Sequence, residues 1–128
     1  KTMDQLQKAY PDTVFLHPTV PLTTTGSSWK TWIKKLIGKD HIWEYADNIK
    51  RNEFNDLMRR QYEASGKLLD IAQIESTRPD GTRESFEKDG STYSSLVPSY
   101  TYDGGHLNEA GRKMVAALLL RLLAEQSS

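Results

Sequence analysis

The chain has 128 residues, the length of one ordinary domain and enough to bury a core. Its 17 Lys and Arg balance 17 Asp and Glu, so no global charge draws it to nucleic acid or to anionic lipid. It has no cysteine, which excludes disulfides, thiolate metal sites and a cysteine nucleophile.

Residues 2–10 read as a short helix, with Met3, Leu6 and Gln7 at helical spacing and Pro11 as its stop. Residues 13–17 are a β-rich apolar run and predict a buried strand. The exit over residues 18–26 is expected to be extended, because Pro18 and Pro21 disfavour helix at their own positions and at the residues before them. Ser27 or Ser28 then caps a short helix carrying Trp29, Trp32, Ile33, Leu36 and Ile37 on one face, ended by Gly38.

A longer helix is predicted over residues 43–65, with Tyr45, Ile49, Phe54, Leu57, Met58 and Tyr62 recurring every three or four positions and Gly66 as its stop. Its charges interleave (Lys50, Arg51, Glu53, Asp56, Arg59, Arg60), which describes a solvated face rather than a phosphate-binding patch. Residues 67–74 predict a second strand. Periodicity is lost over residues 75–105, where Pro79-Asp80-Gly81-Thr82 and Asp89-Gly90 signal turns; a loop of that length in a small domain is usually functional. Asn108 suits the N-cap of a last helix, whose Ala110, Met114, Val115, Leu118, Leu119, Leu122 and Leu123 form a broad apolar face. No apolar run approaches the roughly 20 residues that span a bilayer; the longest, residues 114–123, is broken by Arg121.

Helix, strand, helices, strand, loop, helix is a βαβ unit with flanking helices, which implies parallel strands and an α/β fold. Two parallel strands do not make a stable sheet, so further strands are expected from a preceding segment, a second chain or a copy of this one. Lys1 in place of an initiator Met reads as a processed or truncated start, and the sequence assigns no compartment.

The chemistry-bearing stretch is Tyr102-Asp103-Gly104-Gly105-His106-Leu107-Asn108. A general base at neutral pH selects histidine, and a carboxylate on one ring nitrogen holds it in one tautomer with the other nitrogen free to move a proton. Asp103 and His106 stand three positions apart, and Gly104 and Gly105 let the chain fold back so that the two side chains meet. Asp-Gly-Gly is also ordinary turn chemistry. Placement beyond a strand and before a helix favours the catalytic reading.

Residues 102–111, Tyr-Asp-Gly-Gly-His-Leu-Asn-Glu-Ala-Gly, resemble the last conserved block of the SGNH, or GDSL-type, hydrolases: an Asp-x-x-His, a Leu-Asn pair, then a glycine early in the final helix. Residues 14–22 resemble that family's fourth strand and the loop after it, and residues 68–74 would match the fifth strand. The resemblance implies that residues 1–128 are the C-terminal portion of a single domain with a flavodoxin-like three-layer α/β/α fold and a parallel sheet, whose N-terminal strands lie elsewhere. It implies ester hydrolysis through a serine acyl-enzyme, with His106 as general base then acid and Asp103 orienting it. No cofactor is implied; the substrate would be a small ester or an acylated carbohydrate.

The family's Gly-Asp-Ser block and its oxyanion glycine and asparagine have no counterpart here. Ser27 and Ser28 match no nucleophile turn, and Asn48, Asn52 and Asn55 fall inside the long helix. The serine is therefore expected outside these 128 residues. His17 and His41 lack zinc spacing with each other or with the loop, so no metal site is expected, and His17, in or at the end of the first strand, is expected to be packed and hydrogen-bonded. Trp29, Trp32 and Trp43 are core or cleft residues, Glu75 is placed to reach the same cleft, and Glu84 and Glu87 are expected to be solvated. Two other functions fit the same scaffold: a non-catalytic binding or assembly module, and an acyltransferase using the same triad.

Overall fold

The computed structural model describes residues 2–25 and 42–126, with the side chains of residues 4 and 42–44 excepted. Ser27, Ser28, the helix expected over Trp29–Ile37 with its Gly38 stop, and His41 lie outside the described residues, as does the Trp43 side chain. The described residues form a mixed α/β structure. Its elements are α1 (Met3–Ala9), β1 (His17–Pro18), α2 (Ile42–Tyr62), β2 (Leu68–Leu69), α3 (Ile71–Glu75), β3 (Ser85–Lys88), β4 (Ser91–Ser94) and α4 (Glu109–Gln126), with single 3-10 turns at Glu63–Ser65 and Pro98–Tyr100.

β1 and β2 pair in parallel, His17 opposite Leu68 and Pro18 opposite Leu69. The ladder extends only to the bonds from His17 N to Lys67 O (2.9 Å) and Thr19 N to Leu69 O (3.0 Å). Both strands are shorter than expected, for one reason. Gly66, in the left-handed region at φ 67°, bounds β2 on one side, and on the other Asp70 turns the chain into a helix by accepting the Gln73 N–H at 3.1 Å. Residues 71–74, expected in the strand, are therefore α3. With β2 so short, residues 13–16 have no rung to join, and Val14 is 44% exposed rather than buried.

Asp70 is also a junction. Arg59 donates to its two oxygens at 2.7 and 3.0 Å, and the Thr19 hydroxyl donates at 3.2 Å while itself accepting the Ala72 N–H at 2.9 Å. Burial raises the Asp70 carboxyl's pKa, but the Arg59 hydrogen bonds and charge, with those from Gln73 and Thr19, hold it below its ordinary value. Arg59 thus belongs to a tertiary ion pair rather than to a solvated face, and Arg51 donates to Pro21 O at 2.6 Å.

α2 matches its expected span, but its buried face is not the apolar one. Asn48, Asn52 and Asn55 are 0, 9 and 1% exposed, whereas Phe54 and Leu57 are 46 and 60% exposed. The chain leaving β1 runs extended along α2, and its peptide groups need partners there. Each asparagine amide offers one acceptor and a donor, as a neighbouring strand would. Asn55 accepts Val20 N–H (2.7 Å) and donates to Val20 O (2.9 Å); Asn48 does the same to Thr23 (3.0 and 2.6 Å). Asn52 pairs likewise with Ser94, at 2.9 Å both ways.

Residues 75–105, expected as irregular loop, contain a hairpin. β3 and β4 are antiparallel, with Ser85 opposite Ser94 and Lys88 opposite Ser91. Asp89 (φ 51°) and Gly90 (φ 76°) form a two-residue turn with both central residues left-handed, which suits the twist of a hairpin. Phe86 stacks on Tyr93 across the pair at 5.6 Å, and Tyr45 of α2 meets Phe86 edge-on at 5.1 Å.

Among the described residues the core is Leu22, Ala72, Leu96, Val97 and Tyr100, with Leu107 and Met114 packed against it. α4 begins where expected, Asn108 accepting the Gly111 N–H at 3.1 Å and donating to Ser99 O at 2.8 Å. Its expected apolar face is only partly covered: Leu122 is buried, Ala110 and Leu123 are exposed, and Met114, Val115, Leu118 and Leu119 are half-buried, because the helix is longer than the core it packs on. Among the described residues no helix is long and apolar enough to cross a membrane.

Candidate active site

Thr101 and Leu107 form an isolated antiparallel bridge that closes the loop carrying Asp103 and His106. Inside it, the Thr101 hydroxyl donates to His106 O at 2.8 Å and accepts the Gly104 N–H at 2.9 Å. Gly104 sits at φ +96°, a conformation that L side chains rarely adopt, and a Cβ there would come within 2.8 Å of Thr24 Oγ1. The glycine is thus required both for the turn and for the approach of the loop after β1.

Asp103 uses its two oxygens differently. Oδ1 accepts the N–H groups of Gly105 (2.9 Å) and His106 (2.8 Å), and Oδ2 lies 2.6 Å from His106 Nδ1. The His106 and Gly105 N–H groups, then the His106 ring, hold the Asp103 carboxyl well below the usual carboxylate range, so it is ionised at neutral pH. An ionised carboxylate can only accept, so Nδ1 carries the proton and the neutral ring has its lone pair on Nε2. The His106 side chain is 92% exposed, and Nε2 meets no hydrogen-bond partner among the described residues.

The pair lies on an open recess of about 390 Å³ whose other walls are Thr23, Thr24, Asp47, Gly104 and Gly105. Thr24 N–H donates to Gly104 O at 2.8 Å, tying the loop after β1 to the Asp103–His106 loop. Thr23, Thr24 and Asp47 escaped the sequence reading. The signal for the threonines was their position just past the first strand, where loops of α/β proteins gather function; Asp47, in the first turns of a long helix, carried none. No serine among the described residues lines the recess.

The remaining candidates lie elsewhere. Glu75 does not reach the recess: it is buried in the core, where its Oε2 accepts the Leu22 N–H at 2.6 Å. Burial pushes its carboxyl up to about 7, against the opposing pull of the Leu22 N–H and the Arg51 charge. Glu84 is not solvated but half-buried in an ion pair with Arg78, while Glu87 is exposed. His17 is buried and stacks on Tyr62 with ring centroids 3.7 Å apart and planes 9° off parallel. The amides of Asn48, Asn52 and Asn55 are engaged with backbone. Among the described residues no three His, Asp or Glu converge as metal ligands would.

No protein-family model matches the chain, and neither does any curated protein or solved structure.

Proposed function

We propose that the chain supplies the acid–base part of an SGNH-type ester hydrolase site, with Asp103 and His106 in the roles of the Asp-x-x-His block. The observation that carries this reading is the 2.6 Å contact between Asp103 Oδ2 and His106 Nδ1, made by two residues that line the recess, with the ring exposed. In this reading a serine outside the described residues, on a preceding segment or a second chain, attacks the ester carbonyl while Nε2 takes its proton. The carbon–oxygen bond to the alcohol then breaks, and Nε2 returns the proton to the leaving oxygen. Water attacks the acyl-serine with Nε2 again as base, releasing the carboxylic acid and restoring the hydroxyl. Asp103 holds the ring in the Nδ1–H tautomer and offsets the charge of the imidazolium.

The same reading places β1 and β2 in a larger parallel sheet of a three-layer fold, completed by strands outside the described residues. The partly covered face of α4 supports this, since such sheets carry helices on both faces. The substrate would be a small ester or an acylated carbohydrate. The test is hydrolysis of p-nitrophenyl acetate by the protein as its gene encodes it, beside His106→Ala. The expected result is turnover in the parent and a loss of at least about 100-fold in kcat in the variant. Turnover no better than free imidazole, or a variant as active as the parent, overturns the reading.

A further inference from the structure

We propose that Asn48, on α2, is a positioning residue for His106. The inference rests on the hydrolase reading for its effect on turnover, and on geometry alone for its effect on the ring. Asn48 Oδ1 accepts the Thr23 N–H at 3.0 Å and Nδ2 donates to Thr23 O at 2.6 Å, a carbonyl that also accepts the Leu96 N–H at 3.0 Å. The next N–H in the chain, that of Thr24, donates to Gly104 O at 2.8 Å, and Thr24 Oγ1 lies 3.4 Å from the same carbonyl.

Gly104 joins Asp103 to Gly105, whose N–H the Asp103 carboxylate accepts at 2.9 Å. Displacing Thr24 therefore moves the Gly104 carbonyl, and with it the turn that aims Asp103 at the imidazole. The approach is close enough that even a methyl group on Gly104 would collide with Thr24 Oγ1. A carboxylate in its place accepts the Thr23 N–H but cannot donate to Thr23 O, which then keeps the Leu96 N–H as its donor and faces a negative charge. Asn48 is 0% exposed, so its amide depends on Thr23 rather than on solvent for its hydrogen bonds.

α2 provides its own control. Asn55 makes the same two-bond pairing, with Val20 at 2.7 and 2.9 Å, and is 1% exposed, but Val20 does not line the recess. Asn48→Asp and Asn55→Asp each replace an amide donor on one helix by a carboxylate, and only the first position is tied to Gly104. The experiment compares the two in the full chain by long-range ¹H–¹⁵N spectra of the His106 ring and by kcat and KM on p-nitrophenyl acetate.

The expected result is that both variants lose thermal stability to a similar degree. Asn48→Asp alone moves the His106 ring away from the Nδ1–H tautomer and lowers kcat about 10- to 100-fold with little change in KM. Asn48→Ser, which shortens the side chain without adding charge, reads the same signals should the charged variant not fold. Ring spectra and kcat for Asn48 variants equal to those of Asn55→Asp overturn the inference while leaving the hydrolase reading intact. Turnover that survives His106→Ala overturns the hydrolase reading, and the ring spectra still decide the role of Asn48.

Discussion

The Glu75 carboxylate accepts the Leu22 N–H at 2.6 Å inside the core, with Glu75 only 1% exposed. Burial raises its pKa to about 7 from an ordinary 4.5, so between those values the native state binds a proton that the unfolded chain has released. Stability from this group is therefore greatest below about pH 4.5 and falls as the pH rises through about 7. Glu75→Gln keeps an acceptor for Leu22 and removes the titration. Denaturant unfolding of both proteins from pH 5 to 8 is expected to show the variant gaining on the parent by up to about 3 kcal/mol. Parallel stability curves would contradict this assignment.

Gly111 is packed too closely for any side chain. A Cβ there would stand 2.9 Å from Tyr100 O, which is backbone, and 2.8 Å from Leu107 Cδ2. Alanine favours helix over glycine by about 1 kcal/mol, but the overlap with Tyr100 is expected to outweigh that and destabilise Gly111→Ala by about 1–3 kcal/mol net. The measurement is chemical denaturation. A variant more stable than the parent would show that α4 does not dock on the Tyr100 turn as described.

Asp70 joins α2, α3 and the loop after β1 through Arg59, Gln73 and Thr19. Asp70→Asn leaves the half-buried Arg59 with the exposed Asp56 as its carboxylate partner and is expected to cost about 1–3 kcal/mol at neutral pH. The Asp70 carboxyl is held below its ordinary pKa, so its contribution is present above that value and is lost as the pH falls through the native one. The gap between parent and variant should therefore narrow in acid. A gap that does not change between pH 7 and pH 3 would contradict the pairing.

Asp103→Asn separates the loop's two tasks. The amide oxygen can still accept the Gly105 and His106 N–H groups, but the amide nitrogen then faces Nδ1 as a donor and forces the proton onto Nε2. Under the hydrolase proposal, ester hydrolysis is expected to fall by about three to four orders of magnitude with the fold intact. Circular dichroism and kcat, measured together, check this; full activity in a folded variant would contradict it.

What could be read from the sequence was local. The Asp103–His106 contact spans three residues across two glycines, and the Asn108 cap sits beside the helix it starts, so short-range chemistry decides both. The strand expected over residues 67–74 is present only at Leu68–Leu69, because an apolar run does not distinguish strand from buried helix and Asp70 tips the rest by capping α3. The hairpin escaped because its strands are mostly Ser, Thr, Glu and Lys, with Phe86 and Tyr93 as their large apolar residues. Asn48, Asn52 and Asn55 escaped for a deeper reason. Their burial depends on peptide groups of Val20, Thr23 and Ser94 that are at least 25 residues away along the chain, and no period of apolar residues announces a helix face made of amides.

The central claim is that Asp103 holds the His106 ring with its base nitrogen outward. A long-range ¹H–¹⁵N spectrum of the chain, recorded where the ring is neutral, reads the tautomer directly. The proton is expected on Nδ1, facing Asp103, and the lone pair on Nε2 of the exposed ring. A His106 ring in the Nε2–H form that a solvated imidazole favours would contradict it.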